Sequence, residues 1–276
     1  MKIIVHEDPV AFLRKVEPML LEEEALNNLP LGIVGRMRDS AGGAHLLTVE
    51  DEGEVVFMAM QTPNHNWILP AGNGNAEAVE RLADYIHEHS FEVPGVIGDE
   101  ASAGLFATKW NKLSGQEPQL HMNQLIYKLT ALKSPLKAPG FLRVAAPADK
   151  ALIINWLDLF GVETGEISIR ENADEMAERM IDQQTMHLWV VKGEPVSMVN
   201  QSRSTKHGAT INAVYTPDKH KRKGYASNAV HALTEKLLNQ GYAFCSLYTD
   251  AANPTSNSIY SKIGYEPIGK SIVYRF

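Results

Sequence analysis

The sequence is poor in cysteine and in long apolar runs, and each shortage excludes a class of protein. Cys245 is the only cysteine among 276 residues, so an intramolecular disulfide and a cysteine-based metal site cannot form. The histidines are scattered, and His87 and His89 lack the i, i+4 spacing of a zinc-binding helix. No uninterrupted apolar run approaches the ~18 residues that cross a bilayer, and residues 1–8 lack the apolar core of a signal peptide. We therefore predict a cytoplasmic protein with no metal and no membrane partner.

The sequence also has fewer basic than acidic residues. The chain has 33 acidic and 26 basic residues, a net charge of -7 and a pI near 5.8. Affinity for nucleic acid comes mainly from neutralising phosphates, so we expect no nucleic-acid partner. The content of 44% hydrophobic and 21% charged residues is typical of globular proteins, and the length suits two domains of ~100–200 residues.

A boundary between two domains is predicted near the middle of the chain. Residues 133–140 read Lys-Ser-Pro-Leu-Lys-Ala-Pro-Gly, and two prolines with a glycine favour a linker over a helix or strand. We predict a first domain at 1–133, a linker at 134–140 and a second domain at 141–276.

Hydrophobic periodicity and turn residues predict the elements of both domains. In the second domain, strands are predicted at 141–145, 187–191, 195–201, 209–215, 243–248 and 272–276. Its helices are predicted from Pro147 through Phe160, near 174–184, from about 226 to Gly241 and at 254–263, with a polar loop at 161–165. In the first domain, strands are predicted at 44–49, 55–60, 66–70, 95–98 and 121–128, with helices at 75–89 and 101–112. The similar order in the two halves indicates an α/β (α+β) fold that arose by duplication.

The segment 214–227 predicts a site for an anion. It leads from a strand into a helix, whose first N–H groups at Tyr225, Ala226 and Ser227 lack helical acceptors and bind anions. Gly224 permits a close approach or a positive φ, and Lys221, Arg222 and Lys223 add positive charge. A diphosphate suits this arrangement, although a solvated basic turn or a local nucleic-acid patch would have the same composition.

A second polar motif follows at 253–265. Asn253 is a good N-cap, Pro254 a good first helical residue and Gly264 a good terminator. Helical spacing puts Asn253, Ser256, Asn257 and Tyr260 on one side, and Ile259 and Ile263 on another. The polar side could line a groove, or Asn253 could merely cap the helix while Tyr260 packs in the core.

Together the two motifs resemble those of the GNAT superfamily, the acetyl-CoA-dependent N-acetyltransferases. The family's pyrophosphate loop reads Arg/Gln-x-x-Gly-x-Gly/Ala, and residues 221–226 match it except that Lys221 stands where Arg or Gln is usual. The second motif, Asn-x-x-Ser/Ala-x-x-x-Tyr-x-x-x-Gly-Phe/Tyr, is matched at every position by 253–265. The resemblance covers about the last 136 residues. It implies two tandem GNAT-like domains, each a mixed, mostly antiparallel sheet flanked by helices, with the first domain degenerate.

The resemblance also implies roles for particular residues. The strand end at Val214, Tyr215 and Thr216 would pair with pantetheine, and residues 221–227 would hold the pyrophosphate. Asn253, Ser256 and Asn257 would contact the pantetheine arm, and the Tyr260 hydroxyl would lie near the thioester sulfur as the acid for the leaving thiolate. A backbone N–H near Val214 would stabilise the developing negative charge.

The remaining parts of the reaction stay open at this stage. The acceptor would be an unidentified amine, and the base is not identified: Glu163, Glu166 and Glu171 lie in or beside the loop that often lines the acceptor site in the family, but each is better explained as a solvated surface carboxylate. Ser202 and Arg203 could bind an acceptor carboxylate or could be ordinary hairpin residues. Cys245, in an apolar run, is expected to be a buried small side chain rather than a nucleophile. The protein is expected to be a monomer or homodimer.

The first domain lacks both motifs. Its corresponding loop, 69–75, has glycines but no basic residue, and its helix at 101–110 has neither the asparagine nor the tyrosine. We therefore predict that it does not bind CoA tightly. The leading hypothesis is an N-acetyltransferase that uses acetyl-CoA and no metal. The alternative is a CoA-binding regulatory or scaffold protein without turnover, and a basic-loop nucleic-acid binder is disfavoured by the acidic total charge.

Overall fold

The structure is a computed structural model that describes residues 1–37, 42–72, 74–133 and 138–276. Four residues of the predicted linker, 134–137, and Asn73 of the glycine-containing loop lie outside the described residues. The chain divides into two compact units, neither continuous in sequence. The first unit comprises Met1–Tyr127, Thr249–Pro254 and Pro267–Phe276, and the second comprises Lys128–Tyr248 and Thr255–Glu266.

The first unit is a sheet with helices packed against it. Its strands are β1 (Lys2–His6), β2 (His45–Asp51), β3 (Glu54–Gln61), β4 (Trp67–Ile68), β5 (Gly95–Gly98) and β6 (Gln119–Leu129). Its helices are α1 (Pro9–Glu22), α2 (Asn28–Val34), α3 (Ala76–Glu88) and α4 (Glu100–Ser114). Strands β1 to β5 follow one another in the sheet, and β4 and β5 are parallel. The predicted strands and helices after residue 44 are therefore present.

The elements before residue 44 were not predicted, although the sequence carries their signals. The side chain of Asp8 accepts a hydrogen bond from the backbone N–H of Val10 at 2.8 Å and caps α1, with Pro9 in its first turn. Phe12, Val16 and Leu20, spaced by four, are fully buried. These residues join β2, β3 and β4 in a hydrophobic cluster.

The second unit also has a sheet with helices on both faces. Its strands are β7 (Phe141–Val144), β8 (Met186–Val191), β9 (Glu194–Ser204), β10 (Gly208–Tyr215) and β11 (Phe244–Asp250), in the order β11-β10-β9-β8-β7. Its helices are α5 (Lys150–Thr164), α6 (Ile167–Glu171), α7 (Ala173–Asp182), α8 (Tyr225–Asn239) and α9 (Pro254–Ile263). Strands β7 to β10 are antiparallel to their neighbours, whereas β10 and β11 are parallel.

Alternation along the strands assigns each helix to a face of this sheet. Met186, Leu188, Met198 and Tyr215 pack with α5 and α7 in one apolar cluster. His187, between Met186 and Leu188, points to the other face, where Lys236 of α8 donates a hydrogen bond to its Nε2 at 2.8 Å. The sheet therefore has α5 and α7 on one face and α8 on the other.

The prediction between the first two helices of the second unit was wrong in detail. The polar loop predicted at 161–165 is helical as far as Thr164, because α5 continues through Gly161 and ends at Gly165 with φ +73°. Gly161 belongs inside the helix because α6 packs against it, and a Cβ there would lie 2.5 Å from Cγ of Arg170. Helix α6 itself was not predicted.

The last strand is longer than predicted and belongs to the first unit's sheet. β12 (Glu266–Arg275) replaces the predicted strand at 272–276, and it pairs antiparallel with β5 from Ile272↔Gly98 to Arg275↔Gly95. The Lys270 ammonium also contacts the Glu100 carboxylate at 3.0 Å. The first unit is thus completed by residues that follow the whole second unit.

No helix of the described ranges is both long enough and apolar enough to cross a membrane.

Candidate active site

In the second unit, the parallel strands β10 and β11 separate before either of them ends. Their parallel pairing joins Gly208 to Phe244 and ends at Ile211 with Leu247, although both strands continue. Just beyond this point the register of β10 against β9 shifts between Asn212 and Tyr215, and Ala213 has φ +46°. This irregularity is a β-bulge, which bends a strand and interrupts its ladder. The two strands therefore separate at the stretch where a pantetheine arm was predicted to bind.

Hydrogen bonds and aromatic contacts fix the end of β10. The Ser197 hydroxyl donates to the backbone carbonyl of Tyr215 at 2.9 Å and accepts from the hydroxyl of Thr216 at 2.8 Å. The Tyr215 ring packs against Trp156 and Phe160 of α5, with centroids 6.3 and 6.5 Å away. The side chains of Tyr215 and Thr216 therefore position the strand end, while Val214, at the bulge, is half-buried.

The predicted phosphate loop has the geometry of a tight entry into a helix. A short 3₁₀ turn covers Asp218–His220, and Arg222 and Gly224 both have positive φ, +61° and +78°. Helix α8 begins at Tyr225 with no side-chain cap, and its first bond runs from the N–H of Asn228 to the carbonyl of Gly224 at 3.0 Å. Its first-turn N–H groups, at residues 225–227, are therefore the donors that an anion would use.

The cations of this loop have different surroundings. The Lys221 ammonium contacts Glu163 and Asp218, each at 2.9 Å. Burial opposes the charge of Lys221, but hydrogen bonds to Asp218 and Glu163 outweigh it and raise the pKa of the ammonium. The Lys223 ammonium donates to the carbonyl of Lys219 at 3.0 Å. Arg222 is exposed and, within the described loop, makes no ion pair, so it is the loop cation with the least competition for a ligand.

Tyr260 of α9 is buried rather than open to solvent. It is 8% exposed, and its ring meets the Tyr265 ring edge-on at 6.1 Å. Burial raises the pKa of Tyr260 to about 12, so its hydroxyl is a hydrogen-bond donor throughout the physiological pH range. Asn253 directly precedes the helix and is exposed, and Ser256 and Asn257 are half-buried. Gly264 ends the helix with φ +119°, as predicted.

A buried polar chain supports this helix. The Tyr265 hydroxyl and the Thr234 hydroxyl share a hydrogen bond of 2.7 Å, which joins the chain after α9 to α8.

Cys245 is fully buried, and burial raises the pKa of its thiol to about 12. Cys245 is thus the buried small side chain that the sequence predicted, because a nucleophilic cysteine needs a low pKa and access.

The other candidates have contacts that bear on their roles. Glu163 pairs with Lys221, Glu166 directly precedes the short helix α6, and Glu171 is the last residue of that helix. The guanidinium of Arg203 lies over the Tyr248 ring, 5.6 Å from its centroid. His87 packs edge-on against Trp110. In the described part of the chain no three His, Cys, Asp or Glu side chains cluster as a metal site would require.

Sequence reasoning missed three residues beside the bulge. Asn200 and Asn212 are a hydrogen-bonded pair on β9 and β10, and Ser197 fixes the strand end. The signal was a polar residue within an apolar strand, as in Ser-Met-Val-Asn-Gln and Thr-Ile-Asn-Ala-Val. Neither asparagine has a turn residue beside it that would explain its presence.

Comparisons with known proteins bear on the fold and on one segment of the chain. Residues 173–274 match the family model described as FR47-like protein, a GNAT-type family. A search of curated proteins found no significant match.

Several solved structures share the fold over nearly the whole chain. An acetyltransferase of the GNAT family from Colwellia psychrerythraea has a TM-score of 0.63 at 12% identity, covering 100% of both chains. A tandem GNAT protein from the clavulanic acid biosynthesis pathway has a TM-score of 0.60 at 12% identity, covering 99% of this chain and 98% of the other. A GCN5-related N-acetyltransferase from Sphaerobacter thermophilus has a TM-score of 0.60 at 14% identity, covering 99% and 95%. The resemblance and fold class predicted from the sequence are confirmed: the chain shares the fold of tandem GNAT proteins, and residues 173–274 match a GNAT-type, FR47-like family model.

Proposed function

We propose that the chain transfers the acetyl group of acetyl-CoA to a primary amine of a small molecule or peptide, by direct attack of the amine on the thioester. The observation that carries the proposal is the separation of β10 from β11 at the Ala213 bulge, next to a positive-φ loop that enters α8. An extended arm fits between separating strands, and a diphosphate fits uncapped N–H groups at a helix start.

In this proposal the cosubstrate is held by main-chain and polar groups of β10, of the loop before α8 and of the start of α9. The arm pairs with Val214, Tyr215 and Thr216. The diphosphate lies over residues 221–227, with Arg222 supplying most of the free positive charge. Asn253, Ser256 and Asn257 contact the arm from α9. Acetyl-CoA is a cosubstrate, and the reaction requires no metal.

Tyr260 acts on the leaving sulfur as a hydrogen-bond donor. A thiol has a pKa of ~8.5, whereas that of Tyr260 is about 12, so complete proton transfer to the thiolate would be uphill by about 5 kcal/mol. A hydrogen bond that strengthens as charge develops avoids this cost. Most of the rate gain then comes from holding the amine and the thioester in one groove.

The alternative is a CoA-binding protein without turnover. The unassigned general base leaves room for it, since acetyl-CoA bound without a group to accept the proton of the amine would not turn over. The two functions are separated by mixing the protein with acetyl-CoA and a panel of amines and following thiol release, with CoA binding measured by calorimetry. Thiol release that depends on the amine supports transfer, whereas binding without amine-dependent release supports the alternative and contradicts the proposal.

A further inference from the structure

The peptide that joins Tyr215 to Thr216 is held by a chain of two hydroxyls. The Thr216 hydroxyl donates to the Ser197 oxygen at 2.8 Å, and the Ser197 hydroxyl donates to the carbonyl of Tyr215 at 2.9 Å. A serine hydroxyl has a single hydrogen, which the donation from Thr216 leaves for this carbonyl. Ser197 is fully buried and Thr216 is 8% exposed, so both bonds are shielded from water.

The strand pairing directs the same carbonyl toward β9. The N–H of Gln201 in β9 donates to the carbonyl of Thr185, directly before β8, at 3.1 Å. The backbone groups of successive residues point to opposite sides of a strand, so those of Met198, three residues earlier, point toward β10. Met198 is the residue that faces Tyr215 in this pairing. The ladder and the Ser197 hydroxyl therefore agree in placing the Tyr215 carbonyl on the β9 side.

The N–H of Thr216 consequently points away from β9. The described chain has no cis peptide bond, and in a planar trans peptide the carbonyl oxygen and the N–H point in opposite directions. Strands β9 and β11 flank β10 on opposite sides, and the pairing of β10 with β11 has already ended at Ile211. The Thr216 N–H therefore faces the gap between the separating strands.

The backbone directly before this peptide is strained. Ala213 has φ +46°, which is unfavourable for a residue with a Cβ. It lies between Asn212 and Tyr215, whose pairings with β9 bracket the bulge. A strained conformation persists only where the surrounding contacts fix it, and the hydroxyl chain is one such contact on the far side of the bulge.

We infer that Ser197 and Thr216 are positioning residues for the cosubstrate: their hydroxyls fix the Tyr215–Thr216 peptide so that its N–H donates to an amide carbonyl of the pantetheine arm. The inference rests on the proposed function. A donor that is already oriented loses little freedom when it binds, so the affinity for the arm depends on the bonds that orient it. The two side chains act through this peptide and not by contact with the reacting atoms.

The test compares two ligands that differ only in the arm. CoA and adenosine 3′-phosphate 5′-diphosphate, which is CoA without pantetheine, are each titrated into the protein by calorimetry. Ser197→Ala should weaken CoA about tenfold and the nucleotide by less than about twofold, because the diphosphate is held at residues 221–227. The KM for acetyl-CoA should rise by a similar factor with kcat nearly unchanged, since the arm is bound equally in the ground and transition states.

Further variants assign the effect to the hydroxyl chain. Thr216→Val, which removes the hydroxyl at nearly constant volume, should weaken CoA about threefold, and Thr216→Ser should keep the wild-type affinity. Because the two hydroxyls form one chain, the double variant Ser197→Ala/Thr216→Val should bind CoA no more weakly than Ser197→Ala alone.

Thr210→Val and Ser246→Ala are the matched controls. Their hydroxyls share a hydrogen bond of 2.9 Å and are also buried, but they lie where β10 and β11 are still paired. Both variants should lower the temperature of thermal unfolding and leave the affinities for CoA and for the nucleotide unchanged.

The outcomes separate this claim from the proposed function. Equal losses for both ligands in Ser197→Ala, no loss for either, or the same loss of CoA in Ser246→Ala overturns the positioning role and leaves CoA binding intact. If Ser197→Ala does not fold, the same comparison in Thr216→Val decides. A loss confined to the ligand with the arm supports the inference whether or not amines release thiol, and absence of that release overturns acetyl transfer alone. Absence of CoA binding to the wild type overturns both.

Discussion

The Lys221 ammonium reaches both oxygens of the Glu163 carboxylate, at 3.0 and 2.9 Å, and so ties the loop before α8 to the end of α5. Lys221 is the first residue of the motif that resembles a pyrophosphate loop, where its charge was predicted to meet a phosphate. Because the Glu163 side chain is 51% exposed, the pair is screened by water and worth about 0–1 kcal/mol. The pair therefore orders the loop more than it competes with a diphosphate.

This pairing predicts an unequal contribution of neighbouring cations to CoA binding. Arg222→Met should weaken CoA about fivefold to tenfold, because an exposed, unpaired guanidinium loses little when it meets a phosphate. Lys221→Met should weaken it less, about twofold to threefold, and Glu163→Gln should strengthen it slightly. Calorimetry with CoA measures all three.

The control for this series is Lys206→Met, which removes an exposed charge from the turn between β9 and β10. Its CoA affinity should equal that of the wild type. A larger loss in Lys221→Met than in Arg222→Met would show that Lys221 leaves Glu163 to bind the phosphate.

A valine at Gly224 should damage the loop through backbone conformation. Gly224 has φ +78°, where a β-branched residue is strained, while a Cβ would meet only ordinary contacts at 3.6 Å or more. Gly224→Val should lower CoA affinity about tenfold or more, as measured by calorimetry. Gly193→Val, at φ +84° in the exposed turn between β8 and β9, carries the same strain and should leave CoA affinity unchanged. Equal losses in both variants would refute a role for the loop.

Removing the hydroxyl of Tyr260 should act on turnover. Tyr260→Phe should lower kcat by about 10²-fold or more and change CoA affinity by less than about threefold. Tyr265→Phe is the matched control: it loses the bond to Thr234, costs about 1 kcal/mol of stability and should keep kcat. Thiol-release kinetics and thermal unfolding give both quantities. Wild-type kcat in Tyr260→Phe would remove this hydroxyl from the mechanism.

The stability of the protein should fall in mild acid because of His187. The imidazole is 2% exposed, its Nδ1 bonds the carbonyl of Thr185 at 2.9 Å, and its Nε2 accepts from Lys236. Burial, and then the positive charge of Lys236, lower the pKa of His187 to about 4 from 6.5. Below pH 6.5 the imidazole of the unfolded chain is therefore protonated, whereas in the native state it stays neutral until the pH approaches 4.

The sign and size of this effect follow from linkage. The free energy of unfolding has its full contribution from neutral His187 above pH 6.5. As the pH falls toward 4, the free energy of unfolding decreases by roughly 3 kcal/mol. Urea unfolding at pH values between about 7.5 and 4 measures this decrease in the free energy of unfolding. His187→Gln should have a shallower dependence of unfolding free energy on pH, and His65→Gln, which removes an exposed imidazole, is the control. Parallel curves for His187→Gln and wild type would contradict the assignment.

Local chemistry made much of the second unit predictable. Helix α9 has the predicted bounds, because Asn253-Pro254 and Gly264 mark its ends. Each predicted strand of this unit overlaps an observed one, and strands β7 to β10 pack on α5, α7 or α8. What escaped prediction depends on distant partners. Gly161 is helical because Arg170 covers it, and the Glu163–Lys221 pair joins residues 58 apart in sequence. No local pattern could reveal that Asn200 would meet Asn212, or that β12 would pair with β5.

The pairing of β12 with β5 sets the order in which the protein can be completed. Residues 95–98 pair with β4 on one side, but their strand gains its second partner only from residues 272–275, so during synthesis that strand edge stays open until those residues have been made. Closing so long a loop makes late assembly slow relative to local folding. A gene fragment that stops at the domain boundary would therefore yield a first unit with an unfinished sheet, prone to associate through that edge.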